Sequence, residues 1–264
     1  MNDCQRWRDR RGTYRPAGEP IDPRRFGVEP IADDGPAKAF VERHHYSGSF
    51  PAARCRVGLY RTRAFATPEL VGVAVFSQPP SEAVLPKWLG VPGVDLGRLV
   101  LLDDVEANGE SWFLARAFRI VRRELPEIRA VLSCSDPFLR TALDGRVTCP
   151  GHVGTVYQAL GGRHLGRTNR STILLDGEGR TVSPRALSKL RTGSRGRDYV
   201  ERRLVAAGAP RREPGEDGAA YVTRLLRADV FRRVRHPGNL VYAWPFDPHV
   251  VLRAALPYPK RATL

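Results

Sequence analysis

The stretch from Asp95 to Ser135 constrains the fold more than any other part of the chain. Asp95-Leu-Gly-Arg-Leu-Val-Leu-Leu102 reads as an apolar strand, and Trp112 to Glu124 as an amphipathic helix. In that helix Phe113, Ala117, Ile120 and Val121 share one face, while Arg116, Arg119, Arg122 and Arg123 are spread over the others. Pro126 ends it, because proline has no N–H to donate and its ring collides with the preceding turn. Arg129-Ala-Val-Leu-Ser-Cys-Ser135 follows as a buried strand. Strand, helix, strand in this order predicts a βαβ unit with parallel strands.

The flanks extend this core. Asp33, Asp34 and Pro36 start a short helix that runs to Tyr46. Arg56–Tyr60 and Glu69–Ser77 predict a hairpin. Gly151–Leu160 reads as a short helix ended by Gly161-Gly162, and His164–Arg167 with Ser171–Leu175 as a closing strand pair. The expected fold is mixed α/β (α+β), a mostly antiparallel sheet splayed between the strands at 96–102 and 129–135. Residues 1–34 lack periodicity and read as an irregular basic arm, residues 35–180 as the body. From Ser183-Pro184 onward, basic helical pieces at 185–191, 196–207 and 218–228 predict a mainly helical extension spanning 181–264.

Charge separates these parts. The 264 residues hold 43 Lys+Arg against 28 Asp+Glu, a formal +15. Residues 181–264 contribute +10 and residues 1–25 +3, whereas 26–180 contribute +2. A nearly neutral body with a basic tail points to a polyanion partner, most simply nucleic acid. Only 4 of the 43 basic residues are lysines, and arginine's planar fork suits phosphates and base edges. No apolar run approaches the ~18 residues of a membrane span, and the N-terminus lacks a signal-peptide segment, so a cytoplasmic protein with no membrane partner is expected. Four cysteines without a CxxC are expected to be reduced thiols. The oligomeric state stays open, a homodimer included.

Two places could hold chemistry. The loop Ala107-Asn-Gly-Glu-Ser111 opens directly into the helix, where backbone N–H groups can bind an anion. No Walker lysine follows, which disfavours a nucleotide triphosphatase. The second place is His44-His45-Tyr46-Ser47-Gly48. Adjacent histidines do not readily chelate one metal together, so His45 would need a distant partner. Asp136, at the C-terminal end of a buried strand, is the best placed acid. His, Asp and Tyr together suit a hard metal such as iron, or a general base.

The order of elements over residues 36–175, ending in Val156-Tyr157-Gln-Ala-Leu-Gly161, resembles the GNAT acyltransferase fold. That resemblance implies acetyl-CoA as cofactor and Tyr157 as the proton donor to the departing thiolate. The usual GNAT pyrophosphate loop is replaced by Asn108-Gly109-Glu110-Ser111. A more specific set of motifs comprises His45-Tyr-Ser-Gly48, Leu70–Phe76, Gly97–Asp103, Asn108–Phe113, Ser133–Asp136 and Gly151–Ala159. Together they resemble the Mom family of phage DNA-modification proteins, which is GNAT-like. The resemblance implies modification of adenine N6 in duplex DNA by a methylcarbamoyl (carbamoylmethyl) group, protecting bacteriophage DNA from restriction. It places Arg98 and Ser111, with Asn108 and Gly109 beside them, at the coenzyme-like ligand. It places His45, Tyr46, Asp136 and Tyr157 in the active site, with His45 and Asp136 as iron ligands. Arg232, Arg233, Arg235, His236 and Asn239 are the expected DNA contacts of the tail. Two other readings compete: an acetyl-CoA-dependent N-acetyltransferase acting on a small amine, a protein or an aminomethylated base, and a non-catalytic DNA-binding protein on a GNAT scaffold.

Overall fold

The structure, a computed structural model, describes residues 3–8, 11–16, 19–79, 81–228 and 230–260. The chain divides into two compact units. One comprises Met1–Pro137, Gly151–Thr168 and Asn239–Leu264, the other Phe138–Pro150 and Asn169–Gly238. Among the described residues no helix is long and apolar enough to cross a membrane.

The first unit begins with two strands paired antiparallel, β1 (Asp3–Arg8) and β2 (Arg11–Pro16). Its main sheet is built from β3 (Phe26–Pro30), β4 (Ala53–Arg61), β5 (Glu69–Ser77), β6 (Gly93–Leu101) and β7 (Ala130–Ser135). Three helices are interleaved: α1 (Asp34–His44), α2 (Val84–Trp88) and α3 (Gly109–Glu124). The second unit opens with a small pair, β8 (Arg140–Thr141) and β9 (Val147–Cys149); the chain then returns through α4 (Thr155–Ala159) and β10 (Arg163–Arg167). A second excursion holds β11 (Ser171–Leu175), β12 (Thr181–Val182), α5 (Pro184–Thr192), α6 (Arg197–Ala206), α7 (Gly218–Arg227) and β13 (Arg232–His236). The last strand, β14 (Leu240–Pro245), closes the first unit.

The main sheet has the order β10-β14-β7-β6-β5-β4-β3. All its neighbours are antiparallel except β6 and β7, the strands of the expected βαβ unit. Those two pair only over Gly93–Asp95 with Ala130–Leu132, and beyond that point they part. This is the splayed, mixed α/β arrangement that the sequence predicted. The strands β5, β7 and β14 are buried on both faces. Ala74 and Phe76 of β5 pack with Phe113 and Ala117 of α3, while Val73 and Val75 pack with Ala37 and Val41 of α1. In β14, Tyr242 and Trp244 join the α3 side, while Val241 and Ala243 pack with Leu85 and Trp88 around α2.

Three expectations are corrected. Residues 1–34 are not an irregular arm, since β1 and β2 pair and β3 forms the sheet's edge, with Pro30 at its end where a missing N–H costs least. The strands at 163–167 and 171–175 do not pair; β10 pairs with β14, and β11 with β12 and β13. The chain leaves the sheet after Thr168 and returns at Asn239. Thr168 N–H donates to the Asn239 carbonyl, and Asn239 N–H to the Thr168 hydroxyl, each at 2.8 Å. The unit boundaries therefore fall elsewhere than at 34/35 and 180/181, because β14 of the expected tail is a central strand. Cys55, Cys134 and Cys149 are free thiols, and the Cys4 side chain lies outside the described residues.

Candidate functional site

The parting of β6 and β7 opens a gap in the first unit, and polar side chains gather there. Ser133 of β7 is fully buried, and its hydroxyl bridges the gap by donating to the Leu96 carbonyl at 3.0 Å. On β6, Asp95 and Arg98 are half-buried. The Arg98 guanidinium donates to the Ser49 carbonyl and hydroxyl, both at 2.8 Å, and to the Gly97 carbonyl at 2.5 Å. These bonds tie β6 to the loop that leaves α1.

That loop positions His45 and Tyr46. His45 caps α1, its N–H donating to the Val41 carbonyl at 2.9 Å, in an extended conformation that turns the chain out of the helix. The two rings stack with centroids 4.3 Å apart. Ser47 N–H donates to His45 Nδ1 at 3.1 Å, and the Ser47 hydroxyl lies 2.9 Å from the same nitrogen. Nδ1 is therefore an acceptor, and the neutral ring carries its proton on Nε2.

Across the gap, His152 joins the expected residues. Its N–H donates to the Asp136 carbonyl at 2.8 Å. Its ring stands edge-on between Tyr46 at 6.4 Å and Tyr157 at 6.3 Å. Tyr157, on α4, is itself held edge-on by Tyr242 and Trp244 of β14, both at 5.5 Å. Gly154 starts α4 at φ 75°, and a Cβ there would stand 2.8 Å from Tyr242 and 2.9 Å from Tyr157, so only glycine lets the rings close in.

The electrostatics are those of a recess. Burial, then the positive charge of Arg98 and then His152, hold His45 well below the usual imidazole range. Burial lowers His152 as well, with Asp136 opposing. Burial pushes Asp95 up to about 7, with Arg98 pulling the other way. Tyr157 and Cys134 are both pushed up to about 12, chiefly by burial. Ser133 hydrogen-bonds the Tyr157 oxygen and partly offsets that shift. At neutral pH the recess thus holds two uncharged imidazoles, a protonated phenol and one fixed guanidinium.

The structure places His45, Tyr46, Asp136 and Tyr157 near one another, linked through His152, and Arg98 lies with them. His152, Asp95 and Ser133 were not foreseen as site residues. The histidine of Gly151-His-Val was the one available sign of the first, because a polar ring inside an otherwise apolar helix start needs a partner.

With Nδ1 accepting from Ser47, His45 presents Nε2–H rather than a free nitrogen; iron at Nε2 would need the proton on Nδ1, donated to the Ser47 hydroxyl, with loss of the Ser47 N–H bond. Among the described residues no group of three His, Cys, Asp or Glu side chains stands close enough to hold a metal ion.

The other expected cofactor residues lie apart from Arg98's bonding network. Asn108 Oδ1 accepts Ile21 N–H at 2.7 Å, the Ser111 hydroxyl donates to the Asn108 carbonyl at 3.1 Å, and Gly109 N–H donates to the Glu106 carbonyl at 2.9 Å. The Glu19 carboxylate accepts Ala107 N–H at 3.2 Å, and Glu110 lies in the first turn of α3. An internal carboxylate thus occupies the loop two residues before α3, and its charge disfavours a second anion beside it.

Among the expected DNA contacts, Arg232, Arg233 and Arg235 are exposed on β13. His236 is instead buried, accepting Gly238 N–H at 3.0 Å and packing edge-on to Phe138. Asn239 is half-buried at the chain's return to the sheet, which removes both residues from the outer face.

Comparison with solved structures finds a tandem GNAT protein from the clavulanic acid biosynthesis pathway, without acetyl-CoA. It shares 11% identity over 84% of this chain and 99% of that chain, with a TM-score of 0.42. A malonyl-CoA decarboxylase from Cupriavidus metallidurans shares 13% identity over 76% of this chain and 42% of that chain, with a TM-score of 0.28. No curated protein matches the chain. The Mom protein family matches residues 25–214, a span that takes in His45, Tyr46, Arg98, Asp136, His152 and Tyr157. The chain belongs to the Mom protein family, the DNA-modification family that its motifs resemble.

Proposed function

We propose that this protein modifies the N6 amine of adenine in duplex DNA with a methylcarbamoyl-type group and so shields phage DNA from restriction. The observation that carries this reading is the gathering of His45, Tyr46, Arg98, His152 and Tyr157 around one gap in the sheet. A base inside a duplex must be flipped out to react, and a flipped purine needs aromatic surfaces; Tyr46 and Tyr157 supply them. The N6 lone pair is delocalised into the ring, so the amine must lose a proton as it reacts. Asp95 and Asp136 are the carboxyl groups bordering the recess and supply its proton acceptors. His45 offers an Nε2–H donor to a ring nitrogen or to a developing negative charge. Tyr157, held protonated at neutral pH by its burial, is the phenol O–H donor that the recess offers.

The acetyl-CoA reading is weakened by the loop leading into α3, where the Glu19 carboxylate already accepts Ala107 N–H. A purely binding role leaves the buried imidazoles and the raised carboxyl without a purpose. The test is nucleoside mass analysis of DNA from cells expressing the protein. The expected product is an adenine nucleoside heavier by one methylcarbamoyl-type substituent, absent with His45→Ala, Asp136→Ala or Tyr157→Phe. An acetylated base, or modification at the normal level in all three variants, would overturn the reading. Tyr157→Phe is the most telling, since it deletes one oxygen and leaves the ring packing on Tyr242 and Trp244.

A further inference from the structure

The second unit holds 18 Lys+Arg against 9 Asp+Glu, so it carries +9 of the chain's +15. Within it, α5 and α6 are joined by residues 193–196, in which Gly193 and Gly196 take φ of 68° and 87°, a turn that side chains other than glycine would strain. The two helices are anchored unequally. The core of the unit takes Leu187 and Leu190 from α5 and Tyr221, Val222 and Leu225 from α7. From α6 it takes Leu204, with Val200 partly buried beside it. Val200 and Leu204 are four residues apart and mark the inner face. Tyr199, Arg202 and Ala206 fall on the opposite face, and Arg203 beside them, all exposed. Tyr199 leaves 64% of its surface in water.

The acids near this face are already committed. Asp198 pairs with Arg197, and the Glu201 carboxylate accepts Arg212 N–H at 3.4 Å. Arg191 and Arg195 are exposed at the turn, and neither they nor Arg202 and Arg203 pair with a carboxylate among the described residues. On β13, by contrast, Arg232 and Arg233 donate to the Thr141 and Leu226 carbonyls.

We propose that α5, its turn and α6 form the duplex-docking surface, with α6 entering the major groove of B-form DNA. In this arrangement Arg191 and Arg195 hold phosphates, and Tyr199, Arg202 and Arg203 reach the groove. This rests on the reading that duplex DNA is the substrate. Two helices joined by a turn of three to four residues is the layout in which a second helix is presented to DNA. A helix about 10–12 Å across fits a major groove about 12 Å wide, and Ala206 lets the backbone approach.

The test uses the full chain and a mixed-sequence DNA duplex, with binding followed by fluorescence anisotropy over a range of salt. The variant Tyr199→Ala/Arg202→Ala/Arg203→Ala changes exposed side chains only, and its circular dichroism and melting are expected to match the parent. Its affinity should fall at least about tenfold with little change in salt slope, whereas Arg191→Ala/Arg195→Ala should flatten the slope by about two, one for each lost phosphate contact. An RNA duplex of the same sequence should compete far more weakly with the parent protein, because the A-form major groove is too deep and narrow for a helix. Unchanged affinity in the triple variant, an unchanged slope in the double variant, or RNA competing as well as DNA, would sink the proposal. Nucleoside analysis separates the two readings. A parent protein that binds through α6 but leaves adenine unmodified overturns the catalytic reading alone. A triple variant that binds and modifies DNA like the parent overturns the docking surface alone.

Discussion

Asp95 lies on β6 in the last pair that this strand makes with β7, and its carboxyl titrates near 7 rather than at its ordinary 3.8. The folded chain therefore keeps a proton that the unfolded chain releases. Stability should fall as pH rises from about 4 to about 7, because over that window the folded state binds more protons. Asp95→Asn has no charge to bury, so its stability should lack this fall. The difference between the two proteins should change by on the order of 1 kcal/mol between pH 5 and pH 8, a figure reduced for the group's partial exposure. Urea midpoints at the two pH values measure it, and parallel behaviour of the two proteins would show that Asp95 carries no such cost. His152 works at the same scale. Its own backbone N–H fixes it to Asp136, and its ring fills the space between Tyr46 and Tyr157. It is the residue through which three distant stretches of chain become one site.

At the scale of elements, α4 depends on the glycine before it. Gly154 and Gly161 both take positive φ, 75° and 69°, but a Cβ at Gly161 would meet nothing within 4 Å. Replacing either by alanine should cost about 1–2 kcal/mol for the left-handed backbone alone. Gly154→Ala should cost more, because its Cβ also drives into Tyr242 and Tyr157, and it should lose DNA modification with Gly161→Ala still active. Melting temperatures and nucleoside analysis of the two variants check this; equal effects would mean that the aromatic crowding is not needed. The same comparison of local and distant demands explains what could be read from the chain. The β4–β5 hairpin, α3 and the helices α5 to α7 were legible because their periodicity and turn residues are local. The place of β14 was not. Its neighbours β7 and β10 lie far away in sequence, and a strand buried on both faces shows a continuous apolar run instead of alternation. Its aromatics were read with the basic tail, although Tyr242 and Trp244 hold Tyr157 in place. In the site, His45, Tyr46, Asp136 and Tyr157 were legible from motifs. Asp95 and Ser133 were not, since an acid and a hydroxyl inside apolar strands gain meaning only where the strands part.

At the scale of the whole molecule, the two units have separate cores. Val182, Leu187, Leu190, Leu204, Tyr221, Val222 and Leu225 cluster in the second, and none of them belongs to the clusters formed around α1, α2 and α3 in the first. Separate cores predict separate unfolding, since stability is shared only where packing is shared. Leu225 and Leu114 are both fully buried, one in each unit. Truncating either to alanine should cost about 2–5 kcal/mol through lost burial and the cavity left behind. In Leu225→Ala that loss should appear as faster hydrogen exchange in α5 and α7, with the amides of β5, β6 and β7 protected as before. Leu114→Ala should show the reverse. The functional consequences should divide in the same way. Leu204 is the fully buried anchor of α6 and shares its core with Leu225, so loosening that core should weaken duplex binding while the rings around Tyr157 stay in place. Exchange that rises in both units with either variant would make the chain one cooperative body, and the separation of docking from chemistry would then have no physical basis.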